Sequence, residues 1–163
     1  MADVIYIPAD TDQFRDVYEQ QGGGVCGISC LCVILHKTHE DLLKEWKDYP
    51  GYCNVKPLRA FLESKGYSVK QRNGKKGYNI NLFPNSVALA RIQWKGEDGG
   101  DFHGYKSFQE ATMHTHFIVI TERFFYCNAI GWLNRAKLYD YLKEGNGYIT
   151  SYLEITRKQH AKL

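Results

Sequence analysis

The sequence predicts an α+β fold, with helices in the first half, an antiparallel sheet in the second, and the helix that starts at Cys26 packed on that sheet. Three observations predict it. Apolar residues run continuously or recur at helical spacing between residues 27 and 65, short strand-length runs follow from Tyr67, and clusters of Gly, Asp, Asn and Lys separate those runs. Helices first and strands after them exclude the alternating pattern of a parallel sheet.

Residues 27–35 read as one buried helix. Thr38-His39-Glu40-Asp41 has the form of a capping start for a second, amphipathic helix running to about Tyr49, where Pro50-Gly51 stops it. A third helix fits residues 55–65, with Asn54 as cap, Pro57 in the first turn, Leu58, Phe61 and Leu62 on one side and Gly66 at the end. Strands are expected at 67–72, 86–94, 116–120, 124–128 and 148–155, and one helix, 134–143, interrupts them. Loops are expected at 74–77 and 96–106, the second long enough to carry function. No repeat or low-complexity tract is present.

With 163 residues, 44% of them hydrophobic and 14% aromatic, the chain suits a single globular domain over 1–163. Its formal net charge of +3 comes from scattered lysines and arginines, so neither nucleic acid nor a membrane is expected as partner. The start lacks the basic-then-apolar pattern of an export signal and no run reaches the length of a membrane span, which points to a cytoplasmic protein, with delivery as an effector left open. Five cysteines form an odd set with no disulfide framework, as expected of thiols kept reduced.

The chemistry centres on Gln20-Gln21-Gly22-Gly23-Gly24-Val25-Cys26-Gly27. A thiol at a helix start meets unpaired backbone N–H groups and the positive end of the dipole, so Cys26 is expected as a thiolate nucleophile. The glycines allow close backbone approach. Gln20, six positions upstream, can turn its side-chain N–H toward the same place as the Cys26 N–H, giving two donors for an oxyanion; Gln21 competes for that role. Downstream, residues 114–128 read as a β-hairpin. A three-residue loop at 121–123 pairs Ile120 with Phe124 and His116 with Asn128, and a two-residue loop shifts this by one. Asn128 then fixes the His116 imidazole and leaves its other nitrogen for the thiol. His114 shares a strand face with His116 and is the alternative base.

Blander roles compete for several residues. Cys30 and Cys32 read as core thiols, although Cys30, Cys32, His36 and His39 could also be imagined as a zinc site. His103 reads as solvated, and Trp132 as a core residue or a shield over the His–Asn pair.

The order Gln20, Cys26-Gly27, a helix, a second helix with Leu42, Leu43 and Trp46, a helix ending Glu63-Ser64-Lys65-Gly66-Tyr67, the strand Val87-Ala88-Leu89-Ala90, and His116-Phe117-Ile118-Val119-Ile120 before Asn128 resembles the small papain-like cysteine peptidases. The layout is most similar to their bacteriocin-leader-processing peptidase domains. It covers roughly residues 14–155, with Asn128 where Asp is usual and Val25 where an acidic residue usually precedes the cysteine. The resemblance implies a papain-like fold and a cysteine hydrolase acting on an amide, with Cys26 as nucleophile, His116 as base, Asn128 orienting the ring and Gln20 in the oxyanion hole. No metal or organic cofactor is called for. A monomer acting on a peptide or protein is expected, and a peptide after small residues, a peptidoglycan crosslink, a protein glutamine and a ubiquitin-like tail all stay open. So does a phage or effector role. The rival expectation is a catalytically silent papain-like or zinc-stabilised interaction module.

Overall fold

The computed structural model describes residues 26–49, 54–74, 80, 86–97 and 99–157. It is α+β, with helices N-terminal and an antiparallel sheet C-terminal. Helix α1 spans Cys26–Leu35, and eight of its residues, Gly27 to Ile34, are buried. Helix α2 spans His39–Glu45; Thr38 caps it by accepting the Asp41 N–H at 3.2 Å. It ends at Glu45 instead of near Tyr49, because Trp46 leaves helical geometry to stack on Phe61 with ring centroids 4.6 Å apart. Pro50-Gly51 lies outside the described residues. Helix α3 spans Val55–Ser64, capped by Asn54 as its sequence predicts, and Gly66 follows at φ +92°.

The strands are β1 Tyr67–Asn73, β2 Val87–Trp94, β3 Thr115–Ile120, β4 Phe124–Cys127, β5 Gly131–Asn134 and β6 Gly147–Arg157. Among the described residues they form one six-stranded sheet in the order β1-β6-β2-β3-β4-β5. Two elements were not expected. Ser107 caps a short helix α4, Phe108–Thr112, beyond the loop expected at 96–106, and β5 forms an edge strand between the expected strand 124–128 and the helix that follows it. The helix expected at 134–143 starts later, as a 3₁₀ turn Arg135–Lys137 leading into α5 Leu138–Glu144.

Both faces of the sheet are covered. Alternation along β2 sends Val87 and Leu89 to a core shared with α1, α2 and α3, and Ala88, Ala90 and Ile92 to a second core shared with α5. Strand β3 divides likewise: Phe117 and Val119 meet the helical core, Ile118 and Ile120 the α5 side. Helix α1 packs across β3 and β4, which brings Cys26 to the hairpin. No helix among the described residues is long and apolar enough to cross a membrane.

The hairpin register differs from the three-residue-loop expectation. Ile120 pairs with Phe125 and Val119 with Tyr126. Thr121 is the cause. Its N–H donates to the Phe124 carbonyl at 2.8 Å, and its hydroxyl accepts the Phe124 N–H at 2.9 Å, closing a four-residue turn where three were expected. A one-residue shift exchanges faces, so Cys127 and not Asn128 comes to lie on the His116 side.

Candidate active site

The β3–β4 ladder stops at Val119↔Tyr126, although β4 continues to Cys127. Past that point thiols from α1 engage the backbone of Phe117. Cys30 donates to its carbonyl at 3.4 Å, and Cys26 takes a backbone hydrogen bond from it. Cys26 is the first residue of α1 and is half-buried, so its sulfur also meets the N–H groups of Gly27 and of Cys26 itself.

His116, the residue before Phe117, turns its Nε2 to Cys127 Sγ at 3.3 Å. Cys127, 3% exposed, is the hub of a polar cluster. The Tyr141 hydroxyl on α5 donates to its sulfur at 3.2 Å, and its thiol points to Asn128 Oδ1 at 4.0 Å. Asn128 is therefore connected to His116 through Cys127 and not by direct contact. Asn128 is buried, and its Nδ2 has no hydrogen-bond partner among the described residues; the same holds for Trp132 Nε1. Trp132 packs against Tyr126 with ring centroids 5.3 Å apart, at the edge of the helical core.

Burial decides the protonation states. It pushes the Cys26 thiol up, and the neighbouring Cys127 adds to the rise, while the three backbone N–H groups pull it down. Desolvation wins, so the thiolate expected from the helix start is corrected to a resting thiol. Burial also lowers the His116 pKa to about 4. The Tyr141 hydroxyl is pushed up, first by burial and then by Cys127. Cys26 and His116 are both neutral at pH 7.

Other expected residues fall as follows. Gln20 and Gln21 lie outside the described residues. His114 is exposed before β3 and stacks on Tyr105, with centroids 4.5 Å apart and planes 6° apart, away from the thiols. His103 is engaged by the Tyr148 hydroxyl instead of by solvent alone. Cys30 and Cys32 are core thiols. The zinc alternative is corrected: among the described residues no three His, Cys, Asp or Glu side chains are grouped to hold a metal, since Cys32 and His39 are buried and His36 is exposed at the end of α1.

Two members of the cluster were missed from sequence. Cys127 was overlooked because the assumed register aimed Asn128 at His116. Tyr141 sits on a helix remote in sequence, where no local pattern marks it. A cavity of about 670 Å³ lies at the opposite end of β4, lined by residues that include Arg123, Phe124, Arg135 and Tyr139; it does not include the thiols. The chain matches no family model and no curated protein.

Proposed function

We propose that this chain is a papain-like cysteine hydrolase that cleaves an amide bond. The observation that carries the reading is the placement at the start of β3: the Cys26 sulfur, at a helix N-terminus, engages the backbone of Phe117, and the adjoining residue, His116, is a half-buried neutral imidazole. A neutral pair works by general base catalysis. His116 takes the thiol proton as Cys26 sulfur attacks the carbonyl carbon. The tetrahedral oxyanion faces the Cys26 N–H and, on this reading, the Gln20 side chain. The C–N bond breaks as His116 returns the proton to the leaving amine. Water, deprotonated by His116, then hydrolyses the thioester to a carboxylate and the free thiol.

Iodoacetamide labelling followed cysteine by cysteine tests this. Exposure alone favours Cys26 over the buried Cys30, Cys32 and Cys127, so the deciding comparison is His116→Gln. That change is expected to slow Cys26 labelling at pH 7 by about tenfold or more. An unchanged rate overturns the reading and favours the second one, a catalytically silent module, which the raised Cys26 thiol supports. On a substrate found by screening fluorogenic peptides, Cys26→Ala abolishes turnover, and Gln20→Ala lowers kcat by about 10²-fold with little change in KM.

A further inference from the structure

We infer that Cys127 and Tyr141 are positioning residues for His116, holding its ring as the Nε2–H tautomer with Nδ1 as the basic nitrogen. The inference rests on the hydrolase reading for its catalytic meaning, but its geometry stands alone. Cys127 sulfur has three polar neighbours: the Tyr141 hydroxyl at 3.2 Å, His116 Nε2 at 3.3 Å and Asn128 Oδ1 at 4.0 Å. A thiol has one hydrogen. The inference gives the thiol hydrogen to Asn128 Oδ1, which can only accept, and the sulfur then accepts from both Tyr141 O–H and His116 Nε2–H. Apart from Asn128 Nδ2, every donor in the cluster has an acceptor in this assignment. In this assignment His116 Nδ1 keeps its lone pair, which on the hydrolase reading takes the Cys26 proton.

The orienting job expected of Asn128 is thus divided. The register shift puts sulfur where a carboxamide oxygen was expected, and Asn128 acts one bond further away by aligning that sulfur's hydrogen. Tyr141 is held for its part by packing on Phe125 and Trp94, at centroid distances of 5.2 and 5.7 Å. The titratable group that meets the ring is Cys127 from β4, and Tyr141 from α5 meets Cys127 in turn.

Long-range ¹H–¹⁵N NMR on histidine-labelled full-length protein tests the assignment directly. At pH 7 His116 is expected as the Nε2–H tautomer in the unmodified chain. Cys127→Ala is expected to give a mixture of tautomers and to slow Cys26 alkylation by iodoacetamide by about fivefold or more, and Cys127→Ser, which reproduces one donor and two acceptor sites, is expected to rescue both. Tyr141→Phe is expected to move the His116 ¹⁵N shifts in the same sense as Cys127→Ala. An Nδ1–H tautomer in the unmodified protein overturns the inference, with no variant needed. So does a Cys127→Ala protein with an unaltered tautomer. If the tautomer follows these expectations while His116→Gln leaves Cys26 labelling unchanged, the positioning role stands and the hydrolase reading falls.

Discussion

His116 has a pKa near 4 in the folded chain because burial penalises the imidazolium, against an ordinary value near 6.5. Between those two values the unfolded chain binds a proton that the folded chain does not. Stability therefore falls as the pH drops through that window, by up to ~3 kcal/mol for a shift of this size, and the contribution is fully lost below about pH 4. Urea unfolding at pH 7, 5.5 and 4.5 is expected to show this decline, with His116→Gln flattening it. His39, also lowered by burial, adds a slope of the same sign that survives the substitution. Equal slopes in both proteins would mean that the ring is charged and solvated. The residue types of this site were legible in the sequence, since Cys26 at a helix start and His116 opening an apolar strand follow from pattern alone. Their protonation states were not. The helix-end effect on a thiol is local and readable, whereas the desolvation that outweighs it comes from packing against strands some 90 positions away.

Elements that announce their own ends were read correctly, and the misreadings fall where an end or a whole strand depends on a neighbour. Thr38, Asn54 and Gly66 mark helix boundaries through side-chain caps or backbone conformation, which are properties of a few adjacent residues. The end of α2 at Glu45 depends on Trp46 finding Phe61, a contact no window of sequence contains. Likewise β5, four residues long, exists because β4 is there to pair with it. The hairpin turn lies between these cases. A Thr hydroxyl that bonds three residues on is a local feature, yet three- and four-residue closures are close in energy, and only the closed turn reveals which one holds. Thr121 is 5% exposed, so Thr121→Val removes a buried hydroxyl and leaves the Phe124 N–H without it. The expected cost is about 1–2 kcal/mol by chemical denaturation. Because the same turn sets which residue faces His116, that variant is also expected to perturb the His116 ring shifts, although Thr121 lies at the far end of β3. A loss of stability with unmoved ring shifts would show that packing of Cys127, and not the turn, fixes the register.

At the scale of the molecule, one sheet separates two cores that share its strands. The change of period at Tyr67 made the α-then-β division readable, but the strand order did not follow from it. The last strand, β6, lies between β1 and β2, joining the chain's end to its middle. This insertion ties the two cores together mechanically. Alternate residues of β2, β3 and β6 feed opposite faces, with Leu89, Val119 and Leu153 on the helical side and Ala90, Ile118 and Tyr152 on the α5 side. Neither face can lose its packing while the strands keep theirs. Leu62 on α3 and Leu142 on α5 are both fully buried, one in each core. Each change to alanine is expected to cost about 2–5 kcal/mol, lowering the urea midpoint while leaving the slope of the transition unaltered. Far-ultraviolet circular dichroism and tryptophan fluorescence should give coincident curves, because Trp46 and Trp132 sit at the helical core and Trp94 at the other. A Leu142→Ala protein that loses the α5 side first, seen as two separated fluorescence transitions, would show that the sheet does not couple its faces. The candidate site depends on that coupling: Cys26 arrives from the helical face at the backbone of Phe117, and Tyr141 from the α5 face at Cys127, whose sulfur His116 meets near the start of β3.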